Sequence, residues 1–74
     1  NELPESYAAE AQYDFALLHF QNKKYAAALD VLFELNQRFK GQEKWLNKAF
    51  LLIADCYIAQ NELYQAKATL VSII

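Results

Sequence analysis

Apolar residues recur along the chain at intervals of three and four, the spacing that places side chains on one face of an α-helix. Three interruptions, at Asn22-Lys23, at Gly41 and at Asn61, divide this pattern into four segments. Asn and Gly readily adopt the left-handed backbone conformation that ends many helices. The pattern therefore predicts four helices, with Asn22, Gly41 and Asn61 at the ends of the first three.

The predicted helices run from Pro4 to about Asn22-Lys23, from Tyr25 to Gly41, from Lys44 to Gln60, and from Leu63 or Tyr64 to the end of the chain. Proline suits the first turn of a helix, where its missing N–H is not needed. The first helix carries two neighbouring apolar stripes, one of Ala8, Ala11, Phe15, Leu18 and His19, the other of Tyr13, Leu17 and Phe20. Two stripes indicate two packing partners, or one partner and one ligand. In the fourth helix, Ala66, Leu70 and Ile73 are expected to face inward.

The second half of the chain repeats the first, and the register of this repeat decides the packing. A Gln-Asn-x-x-Tyr string occurs twice, 39 residues apart, and that offset pairs Ala28 with Lys67. An offset of 38 instead pairs Ala16 with Ala54 and Ala28 with Ala66. Small residues are needed where two helices cross closely, because larger side chains hold the helices apart. The sequence therefore predicts a repeat period of 38.

At this register the helix pairs resemble tetratricopeptide repeats from about Ala9 onward. The matching strings are Gln12-x-x-Phe15-Ala16-x-x-His19 and Phe50-x-x-Ile53-Ala54-x-x-Tyr57 in the first helices, and Ala28-x-x-x-Leu32 and Ala66-x-x-x-Leu70 in the second helices. The resemblance implies an all-α fold of tandem antiparallel helix pairs, residues 1–42 and 43–74, as two consecutive units of a longer array, the second of them truncated. A plain four-helix bundle is the alternative that the helices also permit.

The chain departs from the family pattern in four places. Lys23 and Asn61 stand where the turn usually has Gly, Lys40 stands where Pro usually closes the unit, and Gln12 replaces a large apolar residue. The period is 38 residues, against about 34 in the family. The extra residues, near 43–46, are expected to lengthen a helix or the connection between the units.

Composition narrows the classes of partner. With 74 residues and a net charge of -2, the chain makes one small domain that needs support from neighbours. The Lys and Arg residues are scattered, which argues against nucleic acid, and the longest apolar run, residues 49–54, is too short to insert into a membrane. The chain begins at Asn1 and ends without a capping residue, so we expect a piece of a longer protein. Its location, cytoplasm or bacterial periplasm and cell envelope, stays open.

No constellation of catalytic or metal-binding residues is evident in the sequence. His19 and Cys56 are the only residues of their types, and both are predicted to pack in the interior. Ser6, Thr69 and Ser72 have no His or acid at a spacing that would build a relay, and no glycine-rich loop is present. A non-enzymatic protein without a cofactor is expected. Trp45 is predicted to fill the joint between the second and third helices, with an exposed ligand anchor as the alternative.

The family resemblance implies that the first helix of each unit lines a concave groove that binds peptides or partner helices. Residue by residue, this groove takes Glu10, Tyr13, Leu17, Phe20 and Gln21 from the first unit, and Lys48, Leu51, Asp55, Ile58 and Ala59 from the second. The mainly apolar face suits an apolar segment of a protein partner. Some family members clamp an acidic tail with Lys and Asn in this groove, but Asp55 would repel such a tail, and we exclude that role.

Two functions of different class follow. The first is a non-catalytic scaffold that binds a peptide or partner helix in the groove; the second is a purely architectural spacer or oligomerisation segment. In the second case the groove residues only pack against a helix outside this sequence. The last helix carries Leu70, Val71, Ile73 and Ile74 without a following unit to cover them, so the fragment is expected to self-associate through that face.

Overall fold

The computed structural model describes residues 4–73, with Ile73 as backbone only. The helices are α1 (Glu5–Gln21), α2 (Tyr25–Arg38), α3 (Glu43–Ala59) and α4 (Leu63–Ile73), and the described residues contain no strand. Short connections of three or four residues make successive helices antiparallel neighbours. The all-α prediction of paired helices is confirmed. The expectations for Ile74 and for the Ile73 side chain lie outside the described residues.

The ends of the helices correct three details of the prediction. α1 begins at Glu5, and Pro4 precedes it as the N-cap residue. α2 ends at Arg38, so Gly41 lies beyond the helix, and its φ is not positive. The left-handed residue after α1 is Lys23, with φ of 62°, whereas Asn22 has φ of -90°. The predicted helix end at Asn22-Lys23 is confirmed, but the left-handed residue there is Lys23. The prediction that Gly41 ends α2 was wrong, because Phe39 already follows the last helical residue.

The backbone repeats at a period of 38 residues. Lys23 and Asn61 are 38 apart and have the same φ of 62°. In the first turn, the Lys24 N–H donates to the His19 carbonyl oxygen at 2.8 Å; in the second, the Glu62 N–H donates to the Tyr57 carbonyl oxygen at 2.7 Å. Both bonds span five residues, as in the Schellman ending of a helix. The register of 38 is confirmed. α1 and α3 both have 17 residues, and residues 43–46 belong to α3 rather than to the connection before it.

The helices are layered rather than closed into a ring. α1 packs on α2, α2 on α3, α3 on α4, and α1 also contacts α3. Among these helices α4 contacts α3 alone. An up-down four-helix bundle with one closed core would also bring the last helix against the first. The layered order gives the molecule a flattened shape, with extents of 42 × 28 × 14 Å.

The four alanines that the register pairs are all buried, as expected for small residues between close helices. Ala16 and Ala28 are 0% exposed, Ala54 is 1% exposed and Ala66 is 3% exposed. Around them lie the larger members of the core, which include Leu32, Leu35, Phe39, Trp45, Ile53 and Cys56. A side chain of one carbon lets the two helix backbones approach closely enough for these neighbours to interlock.

Gln12, which departs from the large apolar residue of the tetratricopeptide pattern, forms a polar bridge between α1 and α2. Its Nε2 donates to the Val31 carbonyl oxygen at 3.1 Å and to Glu34 Oε1 at 2.9 Å, and Arg38 Nη1 donates to Gln12 Oε1 at 3.2 Å. Hydrogen bonds thus replace apolar contact at this crossing. Asn36 is less well satisfied, because its buried Oδ1 has no hydrogen-bond partner among the described residues, which costs about 1–3 kcal/mol.

Candidate interaction surface

The predicted groove residues lie on two helices that run in the same direction. Tyr13, Leu17, Phe20 and Gln21 belong to α1, and Lys48, Leu51, Asp55 and Ile58 belong to α3. The three aromatic and aliphatic residues of α1 are partly buried and pack against the core. On α3, by contrast, Leu51 is 52% exposed and Ile58 is 50% exposed. The two halves of the predicted groove therefore differ, since the α1 half is used in packing and the α3 half is open to solvent.

Trp45 contacts residues from both the α1 half and the α3 half of the predicted groove. It lies in the first turn of α3, is 9% exposed, and its ring centroid is 5.7 Å from that of Tyr13 on α1. The ammonium groups of Lys44 and Lys48 lie 5.2 Å and 5.1 Å from the centroid of the Trp45 ring. A cation over an indole face is favourable, most of all where water is excluded. Trp45 is thus buried at a helix joint, as predicted, although it lies inside α3 and its ring packs against α1.

Asp55 lies near enough to Tyr13 to affect its ionisation. Burial raises the pKa of the Tyr13 hydroxyl, and the carboxylates of Asp55 and Asp14 raise that pKa further. Since the phenol stays protonated at neutral pH, it keeps a hydrogen-bond donor at the border between α1 and α3. The structure therefore brings Tyr13 and Lys48 against the Trp45 ring, and it places Asp55 close enough to Tyr13 to raise the pKa of its hydroxyl.

The remaining predicted residues extend this surface along the helices. The Phe20 ring meets Tyr25 edge-on, with 5.5 Å between ring centroids, so it closes the α1–α2 turn from inside. Gln21 is the last residue of α1 and is exposed, and it lies far from Lys48, which belongs to the second turn of α3. Because α1 and α3 run in the same direction, Gln21 and Lys48 mark opposite ends of the face.

Of the two apolar stripes predicted on α1, one is packed and the other is open. The stripe of Tyr13, Leu17 and Phe20 faces the core. In the other stripe, Phe15 is 53% exposed and Leu18 is 52% exposed. Tyr7, which the sequence did not single out, is 59% exposed on the same side. The signal that could have found Tyr7 is its place in the 38-residue register, where it corresponds to Trp45.

The reactive side chains of the chain are engaged in packing or in local hydrogen bonds. Burial, with a smaller effect of Asp55, raises the pKa of the Cys56 thiol to about 11, so it is protonated and weakly nucleophilic at neutral pH. The His19 ring packs edge-on against Phe15 at 4.6 Å. The hydroxyls of Thr69 and Ser72 donate to backbone carbonyls at 2.8 Å and 2.7 Å.

Over residues 4–73 the structure shows neither an enclosed cavity nor a group of three His, Cys, Asp or Glu residues placed to hold a metal ion. None of its four helices, as described, combines the length and apolar character that crossing a bilayer requires. Among the apolar residues of the predicted groove, Leu51 and Ile58 on α3 are therefore the ones that stay exposed to a ligand, with the exposed Asp55 between them.

Comparisons with known protein families, with curated proteins and with solved structures found no match. The tetratricopeptide assignment therefore stays a prediction that rests on the residue pattern and the register.

Proposed function

We propose that the chain is a segment of a tetratricopeptide-like helical array that serves as a non-catalytic protein-interaction scaffold. Its ligand is an apolar segment of a protein, either a peptide or a helix, that lies along α1 and α3. The observation that supports this proposal most directly is the half exposure of Leu51 and Ile58 on α3, at 52% and 50%. Large apolar side chains exposed on one helix face are typical of surfaces that bind proteins.

The spacing of the exposed residues suits a partner in extended or helical form. Leu51, Asp55 and Ile58 follow one another at four and three residues, so they lie on one face of α3. Covering the exposed halves of the two aliphatic side chains would contribute about 2 kcal/mol in total. Lys48 and Asp55 border this apolar surface with opposite charges. A partner with an acidic group near Asp55 is disfavoured, and one with a basic or neutral group there is favoured.

The architectural function is the second candidate, and a different observation favours it. Tyr13, Leu17 and Phe20, which the resemblance assigns to the groove, are partly buried against the core of the same chain. Their apolar character is therefore accounted for by packing within the chain. Only the exposed α3 residues distinguish the two candidate functions, so the test substitutions are made on α3.

A library of random peptides displayed on phage, panned against the purified protein, tests the scaffold function. We expect enriched peptides to carry apolar residues and few acidic ones, and to bind the Leu51→Ser/Ile58→Ser variant at least about tenfold more weakly, a change of about 1.4 kcal/mol. The matched control is Leu63→Ser/Tyr64→Ser, which removes side chains that are 60% and 82% exposed on α4.

The control should bind like the parent protein, and thermal unfolding should show both variants folded, since all four side chains are largely exposed. If no peptide is enriched, or if the enriched peptides bind the α3 variant as tightly as the parent, the scaffold proposal fails and the architectural function stands.

A further inference from the structure

The repeat register makes it possible to compare the burial of equivalent residues. In α3, one side carries the buried residues Trp45, Ala49, Leu52, Ile53 and Cys56, all at most 9% exposed. The residues 38 positions earlier in α1 are Tyr7, Ala11, Asp14, Phe15 and Leu18, and all of them are exposed. The cause lies in the layering: α3 contacts α1, α2 and α4, whereas α1 contacts only α2 and α3, so one side of α1 meets no described helix.

α4 shows the complementary difference. In α2, which packs against both α1 and α3, Leu29 is 8% exposed and Leu32 is 0% exposed. Their equivalents in α4 are Lys67, which is exposed, and Leu70, which is 38% exposed. Within residues 4–73 two faces are thus uncovered, an outer face of α1 and an outer face of α4, which we call the end faces. These two faces correspond to the two sides of the α2–α3 joint inside the chain.

We infer that these two faces bind each other in neighbouring copies of this chain, so that α4 of one copy packs on α1 of the next. α4 corresponds to α2, and α1 corresponds to α3, so the contact between copies repeats the α2–α3 joint that the chain already forms. Because the two contacting faces differ, the contact is head-to-tail and each added copy presents a new open end. Such an arrangement produces open chains of copies unless its rotation happens to close a ring.

The charges on the two faces support a second copy as the partner. Two leucines that are buried on α2 and α3 have charged residues as their equivalents on the end faces. Leu29 corresponds to Lys67 on α4, and Leu52 corresponds to Asp14 on α1. These two charges are opposite in sign and belong to opposite faces. A joint between copies that repeats the internal one therefore places Lys67 of one copy and Asp14 of the next at the positions of Leu29 and Leu52.

This inference does not depend on the proposed scaffold function. The end faces use Tyr7, Asp14, Phe15, Lys67 and Leu70, whereas the groove uses other residues of α1 and α3. Copies joined at their ends leave Leu51 and Ile58 uncovered. Sedimentation of the purified protein alone tests the inference, and its result is independent of any peptide binding.

The experiment is a charge exchange followed by sedimentation velocity over a range of concentrations. For the parent protein, we expect the mean sedimentation coefficient to rise with concentration without a plateau at the dimer. The Asp14→Lys variant and the Lys67→Asp variant each place like charges at the joint, so each alone should associate about tenfold more weakly. An equimolar mixture of the two should associate like the parent, because every joint in alternating copies then pairs opposite charges.

Matched controls change the net charge equally at exposed positions outside the end faces. Asp30→Lys on α2 and Lys40→Asp in the turn after α2 should associate like the parent, alone and mixed. Circular dichroism should show all four variants folded. If the control variants associate equally well alone and mixed, the stronger association in the mixture of Asp14→Lys and Lys67→Asp is not an effect of net charge.

Three results would overturn the inference. The first is a parent protein that stays monomeric at millimolar concentration, which would leave the end faces to other helices of a longer chain. The second is a mixture of the two charge variants that associates no better than either one alone. The third is a dimer that survives Asp14→Lys but is lost in Leu70→Asp, which would show a symmetric contact of α4 with α4.

Discussion

At the scale of single residues, the alanines at the helix crossings determine how closely the helices approach. Ala28 on α2 is fully buried, whereas Ala26, two residues earlier on the same helix, is exposed. The two residues have the same side chain and the same helix propensity, so only their surroundings differ. A substitution made at both positions therefore isolates the packing contribution.

Replacing Ala28 with Leu is expected to lower the free energy of unfolding by about 1–3 kcal/mol, because the added carbons force the crossing helices apart. The same change at Ala26 should alter the free energy of unfolding by less than about 0.5 kcal/mol, since its side chain lies in solvent. Urea unfolding followed by circular dichroism measures both values. Equal effects at the two positions would contradict the role assigned to the crossing.

The register of the repeat could be predicted from sequence, because it depends on the size of the residues. Close approach tolerates only small side chains, so Ala16 and Ala54 identified the register without any knowledge of the fold. Exposure could not be predicted in the same way, because an apolar residue such as Phe15 does not reveal whether a neighbour covers it. For the same reason the groove assignment did not anticipate that Tyr13 packs on Trp45.

At the scale of elements, the two helix-pair turns share one backbone geometry with different residues. Lys23 and Asn61 both have φ of 62°, and neither is glycine. Sequence preference placed the left-handed residue at Asn22, one position too early, because Asn tolerates that conformation better than Lys. In the structure the left-handed residue is instead Lys23, next to the Lys24 N–H that donates to the His19 carbonyl oxygen in the helix-ending turn. Local preference alone could not reveal this.

The Lys23→Gly variant is expected to be more stable than the parent by about 0.5–1 kcal/mol. Glycine avoids the strain of a left-handed L residue, about 1–2 kcal/mol, but loses part of that gain through the greater entropy of its unfolded chain. Asn61→Gly should gain less. The control is Lys24→Gly, where φ is -96° and glycine relieves nothing. Thermal unfolding of the three variants is the measurement, and a gain at Lys24 equal to that at Lys23 would refute the strain argument.

At the scale of the whole molecule, the layered order makes the helices unequal. α3 contacts all three other helices, whereas α4 contacts α3 alone. In layered helical arrays, stability is approximately a sum of unit terms and nearest-neighbour contacts, so an end helix opens at a lower free energy than a central one. A closed bundle lacks this difference, because each of its helices packs against neighbours on two sides.

Amide hydrogen exchange in dilute solution should therefore be slowest in α3 and fastest in α4, because opening α4 breaks only the α3–α4 contact. Ala66→Leu, which overpacks that contact, should speed exchange in α4 and leave α1 and α2 nearly unchanged. One common rate for all four helices would contradict the layered order. Exchange also separates this order from association between copies: as the concentration rises, head-to-tail contacts should slow exchange in α4 and α1 together. α3 should change little, since it is already covered on both sides within one chain.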